Sequence, residues 1–184
     1  MDIREEIDNL INGLNVLKDS EVLLRDISEL CIDSLKKGGK IIFCGNGGSA
    51  ADSQHLAAEL IVKFNKIRKS VPAIAITTDT SIITAIGNDI GAQNIFERQI
   101  EGLGRSGDVL IGLTTSGNSE NVILAFRKAK ELGIKTVAFT GFDGGKVKEI
   151  ADIVLRVPSA KTSTIQEMHI TCGHILCGLI EDKI

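Results

Sequence analysis

The chain has 184 residues, a formal net charge of −3, neither tryptophan nor tyrosine, and six phenylalanines. That length suffices for one open α/β core. With no strong basic stripe and no set of stacking aromatics, nucleic acid is not an expected partner. No apolar stretch approaches the roughly 20 residues a bilayer span needs, so a membrane is not one either.

The opening Met1-Asp2-Ile3-Arg4-Glu5-Glu6 is acidic and has no signal-peptide core. Cys31, Cys44, Cys172 and Cys177 show no Cys-x-x-Cys spacing and read as buried free thiols of a reducing compartment. The expected location is cytoplasmic. Two amphipathic helices come first, one carrying Ile3, Ile7, Leu10, Ile11, Leu14 and Leu17, the other Leu23, Leu24, Ile27, Leu30, Cys31 and Leu35. Asp19 or Ser20 could end one and cap the next. Their surplus apolar face either covers a sheet edge or packs subunits together, and the pattern alone leaves both open.

Five apolar runs follow, at Lys40–Cys44, Ala73–Thr77, Val109–Thr114, Lys135–Thr140 and Ile153–Val157, alternating with helix-like segments. Such alternation predicts a parallel sheet covered by helices on both faces, with ligands gathering beyond the strand carboxyl ends. The first run ends in Gly45-Asn46-Gly47-Gly48-Ser49, where a helix opens. Glycines admit a phosphate close to the backbone, and free helix N–H groups favour negative charge. This is neither the Gly-x-Gly-x-x-Gly nor the P-loop pattern. One turn on, His55 and Glu59 share a helix face. Thr77-Thr78-Asp79-Thr80 follows the second run. After the third, Thr114, Thr115, Ser116 and Ser119 crowd Gly117 before the helix Val122 to Leu132. Ser119 suits an N-cap, but four hydroxyls exceed what capping needs, and a phosphate site is expected there with Ser49 along an adjacent edge.

After Pro158, Ser163 with Gln166 or Thr164 with Glu167 has capping-box spacing at the start of a last helix. It carries His169 and His174. Gln166 and His174 lie eight residues apart, about 12 Å along a helix, too far to share one ion easily. His55 with Glu59 has no such difficulty, since four residues rise only about 6 Å.

Four of these stretches resemble one family: Cys44 to Asp52 continuing through Glu59, Ala85-Ile86-Gly87-Asn88-Asp89, Thr115-Ser116-Gly117-Asn118-Ser119 and Ile165-Gln166-Glu167-Met168-His169. Together they resemble the phosphoheptose isomerases, sugar-isomerase (SIS) domain proteins that convert sedoheptulose 7-phosphate to D-glycero-D-manno-heptose 7-phosphate. The resemblance runs from about Gly38 to the end. It implies one SIS domain over residues 1–184, a three-layer αβα sandwich with a five-stranded parallel sheet, in which residues 1–38 are N-terminal helices and 39–184 the core and last helix. It further implies a homotetramer with active sites between subunits and one zinc ion per subunit, held by His55, Glu59, Gln166 and His174. The implied substrate contacts are Asn46, Gly47, Gly48, Glu59, Asn88, Asp89, Thr114, Thr115, Ser116, Ser119 and Gln166, to which the reading of the first cradle adds Ser49. The chain departs from common family residues at Lys63, Phe64, Ile90 and Thr164, and keeps a hydroxyl at Thr114 where serine is common.

Aldose–ketose isomerisation needs a base, an acid and stabilised oxygen charge. Glu59 is expected to take the carbon-bound proton and His174 to serve the sugar oxygens, supplying heptose for lipopolysaccharide or capsule. The alternative is a non-catalytic SIS-domain regulator that binds a phosphosugar or a protein such as the replication initiator. His55, Glu59, Gln166 and His174 together favour the enzyme, because a scaffold has no use for that set.

Overall fold

The computed structural model describes residues 2–184 and places all five apolar runs in one parallel sheet. The strands are β1 (Ile41–Gly45), β2 (Ala73–Ala75), β3 (Val109–Thr114), β4 (Lys135–Thr140) and β5 (Ile153–Arg156), in the spatial order β2-β1-β3-β4-β5. Ile41 sits beside Val109, Val109 beside Lys135, and Val137 beside Ile153. The helices are α1 (Ile3–Leu17), α2 (Glu21–Lys36), α3 (Gly48–Ile61), α4 (Thr80–Ile86), α5 (Glu97–Leu103), α6 (Glu120–Glu131) and α7 (Thr162–Glu181).

Strand side chains alternate between faces, and the core divides accordingly. Ile41, Phe43, Val109, Ile111, Leu113, Val137 and Phe139 face one layer, where they meet Ile27 of α2, Leu56 and Leu60 of α3, and Met168 and Leu176 of α7. Ile42, Cys44, Leu110 and Ala138 face the other, against Ile100 of α5 and Val122 and Phe126 of α6. Gly112 lies on that second face because Phe126 packs directly on it; a Cβ there would sit 2.3 Å from the ring. The result is the three-layer sandwich expected. All four cysteines are buried and free.

The order in which strands are added to the sheet reverses between β1 and β3. The loops leaving those neighbouring strands therefore diverge, opening a crevice beyond their carboxyl ends.

Local departures have local causes. β2 stops at Ala75 rather than Thr77; it is an edge strand whose Ile74 stays exposed, although Ile76 still donates its N–H to Phe43. No capping box forms on α7: Lys161 occupies the N-cap and makes no side-chain cap bond. Ser20 likewise precedes α2 without capping it, because a short 3-10 turn, Lys18–Ser20, joins α1 to α2. Asp79 does cap α4, accepting from the N–H of Ile82 at 3.0 Å.

The N-terminal helices do two things. α2 is half inside the core, and Gly13 of α1 packs on Met168 of α7. Ile3, Ile7 and Ile11, one stripe of α1, remain 73%, 54% and 49% exposed.

Candidate active site

β1 ends at Gly45, where a Cβ would stand 2.8 Å from the Ser49 carbonyl oxygen and 2.9 Å from that of Leu113. Only glycine fits. Gly47 then takes φ 55° at the N-cap of α3, a conformation L residues rarely adopt, and turns the chain into the helix. Across this helix start lies Gln166 of α7, so close that a Cβ on Gly48 would meet its Nε2 at 2.5 Å. Asn46, Gly47 and Gly48 are exposed at the crevice, whereas Ser49 is only 3% exposed. Ser49 therefore offers the cradle its place in the first helical turn more than an open hydroxyl.

The second cradle follows β3. Gly117, with φ 66°, is wedged against the turn at Gly144 and Gly145, and Val147 and Lys146 donate N–H groups to Gly117 O and Asn118 Oδ1. Ser116 is exposed and its hydroxyl accepts from the Asn118 N–H at 3.1 Å. Ser119 stands at the N-cap of α6 but makes no cap bond; its hydroxyl lies 3.3 Å from that of the buried Thr114. A helix start whose hydroxyls are turned away from capping is open to a phosphate.

The two cradles are joined. Asn46 Nδ2 donates to Asn121 Oδ1 at 2.9 Å, and Asn121 Nδ2 donates to Asn46 Oδ1 at 2.8 Å. Sequence reasoning passed over Asn121; the only hint was its place in the first turn of the helix that follows the hydroxyl loop.

Gly48, Asp52, His55 and Glu59 lie on one stripe of α3, at helical spacings of four, three and four residues. His55 Nε2 is 3.2 Å from Glu59 Oε1 and 2.9 Å from His174 Nε2. Imidazole nitrogens and a carboxylate oxygen of these three residues all fall within 4.8 Å of one another, a group able to hold a metal ion. Gln166 stands at Gly48, near the other end of α3. Asn88 and Asp89 sit on an exposed π-helical turn, Gly87–Gly91, and hydrogen-bond to each other at 2.7 Å. Among the described residues no hydrogen bond ties them to either cradle.

Neighbours brace this His/Glu/His group. The Phe64 ring stacks on His174, centroids 5.6 Å apart and planes at 26°. The Glu181 carboxylate, at the end of α7, accepts the N–H groups of Phe64, Asn65 and Lys66 and pairs with Arg68 at 3.1 Å. Burial pushes that carboxyl up, but the three N–H donors and Arg68 outweigh it and hold it below the usual carboxylate range. Arg68 also donates to the carbonyls of Glu59 and Leu60. The carboxyl ends of α3 and α7 are thereby locked together. Asp52 has one carboxylate oxygen buried without a partner; burial raises its carboxyl, with His55 opposing.

A family model for the SIS domain matches residues 6–141. The phosphoheptose isomerase of Akkermansia muciniphila is 50% identical over 182 residues, which cover 99% of this chain and 96% of that protein. That of Clostridium acetobutylicum is 54% identical over 171 residues, covering 92% and 87%. The solved structure of the phosphoheptose isomerase from Neisseria gonorrhoeae superposes with a TM-score of 0.93 at 41% identity, over 98% of this chain and 97% of that one.

Proposed function

The chain belongs to the phosphoheptose isomerases, SIS-domain sugar-phosphate isomerases, and on that premise we propose that it interconverts sedoheptulose 7-phosphate and D-glycero-D-manno-heptose 7-phosphate through an enediol, for heptose synthesis. One observation carries the reading: the glycine turn that adjoins the hydroxyl loop and the His/Glu/His group occupy the same stripe of α3, about 10 Å apart along its axis.

Thr115, Ser116 and Ser119, with Thr114 behind them and the N–H groups of the two helix starts, bind the phosphate and fix the sugar's far end. Asn46, Gly47, Gly48, Ser49 and Gln166 line the path between. At the other end, Glu59 removes the carbon-bound proton and returns it to the neighbouring carbon, while His174 moves protons at the sugar oxygens. Glu59 is three-quarters buried and His55 half exposed, so the base is partly shielded from water while the site stays open to substrate.

Two imidazole nitrogens and a carboxylate converging at 2.9 and 3.2 Å suit a divalent metal of zinc type with open positions. His55, Glu59 and His174 would hold it, and it would supply Lewis-acid polarisation of the carbonyl and hydroxyl oxygens. Gln166, about 12 Å along α7 from His174, would join this set only from a neighbouring subunit. Asn88 and Asp89, which among the described residues no hydrogen bond ties to either cradle, would serve a site in the same manner.

We read residues 1–184 as one SIS domain, and the exposed Ile3, Ile7 and Ile11 stripe supports packing into a homotetramer. A cytoplasmic location accords with four buried thiols. A non-catalytic phosphosugar-binding protein would have no need of the His/Glu/His group. The deciding experiment is turnover of sedoheptulose 7-phosphate by purified protein, before and after chelation, with zinc add-back. Activity that chelation removes and zinc restores is expected; a folded protein inactive in both states would overturn the reading.

A further inference from the structure

The reciprocal amide pair of Asn46 and Asn121 spans the crevice where the strand order reverses between β1 and β3. Asn46 follows the last residue of β1; Asn121 lies in the first turn of α6, after β3. Each primary amide has two N–H donors and two acceptor lone pairs. The ring uses one of each from both residues and leaves one of each free.

Such a ring has an orientational consequence. If Asn46 alone rotated its amide by half a turn, N–H would face N–H and carbonyl would face carbonyl. The direction of the free N–H and lone pair of Asn46 is therefore set by Asn121. Asn46 is exposed and Asn121 only half-buried, so hydrogen bonds between them exchange readily with water and contribute little to stability. A pair that adds little to folding and yet ties together two ligand loops acts on what enters between them.

We propose that Asn121 is a positioning residue for the sugar: it clasps the mouth of the crevice and aims the Asn46 amide at a hydroxyl or phosphate oxygen of the bound sugar phosphate. The proposal rests on the phosphosugar reading of the site. Asn121 itself does not touch the reacting carbons. Its loss weakens binding equally in the ground and transition states, which raises KM and leaves kcat nearly unchanged.

The test is a double-mutant cycle on the full chain with Asn46→Ala, Asn121→Ala and both together. It reads kcat, KM and the calorimetric Kd for sedoheptulose 7-phosphate. Asn121→Ala is expected to raise KM and Kd roughly tenfold, the loss of two modest hydrogen bonds, with kcat within about twofold. In the Asn46→Ala background the same change should add almost nothing, since Asn121 acts through Asn46. Unchanged KM and Kd in Asn121→Ala, or full additivity in the double variant, would overturn the proposal. Binding without turnover by the wild type would sink the isomerase reading while the Kd cycle still decides the clasp. Absence of binding by the wild type would overturn both.

Discussion

The Nε2 atoms of His55 and His174 face each other across 2.9 Å. Two imidazole nitrogens that close together can both turn a lone pair towards one cation. With Glu59 Oε1 3.2 Å from His55 Nε2, a divalent cation is the occupant proposed for this group. Binding to the folded state alone stabilises by mass action. At a hundredfold excess of zinc over its Kd the gain is about 3 kcal/mol, or roughly 5–10 °C in Tm for a chain of this size. Thermal melts with and without chelator measure it; His55→Ala should abolish the difference.

Glu59→Gln keeps shape and removes the base. General-base catalysis contributes typically 10²–10⁴-fold, so kcat should fall at least about a hundredfold while the circular dichroism spectrum stays native. Retained turnover would remove Glu59 from the base role.

Gly48→Ala separates folding from function. The added methyl would approach Gln166 Nε2 at 2.5 Å, and Gln166 is a flexible side chain able to swing aside. Stability should change by less than about 1 kcal/mol, since alanine suits a helix better than glycine. Gln166, however, leaves the helix start, and KM for the sugar phosphate should rise several-fold. Steady-state kinetics beside a urea melt check the two halves.

His169 is fully buried on α7 against Phe139. Burial pulls its pKa from 6.5 down to about 4, with the Thr140 backbone partly opposing. The unfolded chain therefore binds this proton first. Stability from this residue is complete above pH 6.5, declines as pH falls towards 4, and levels off below. The loss is about 3 kcal/mol. Urea melts across that window should show a shallower pH dependence for His169→Gln than for the wild type.

The strands were legible because each is a continuous apolar run, the mark of a sheet buried on both faces. The glycine loop after β1 was legible because Gly45 and Gly47 answer backbone demands visible in composition. The His55, Glu59 and His174 group was only partly so: helical spacing pairs the first two, whereas meeting His174 depends on how α3 and α7 pack. The capping box at α7 failed because hydroxyl spacing says nothing of where the helix starts, one residue after Lys161. Asn121 was invisible because its partner lies 75 positions away across the crevice. The stripe of Ile3, Ile7 and Ile11 could not be divided by pattern from the buried Leu17 face; only packing on α7 did that.

The phosphate grip adjoins the start of α3 through Asn46 and Asn121, and the reacting end lies further along that helix, which makes α3 a ruler. Seven residues from Gly48 to His55 give a rise of about 10 Å, comparable with an extended seven-carbon chain carrying a terminal phosphate. A ketose phosphate two carbons shorter, seated in the same cradle, would hold its carbonyl short of Glu59. Chain length is thereby discriminated by the helical rise of α3 together with the place of the hydroxyl loop beside its start. Even one inserted residue would turn His55 and Glu59 by about 100° away from the crevice. Substrate length in such a protein changes by whole helical turns or by moving the phosphate grip, and not by small steps.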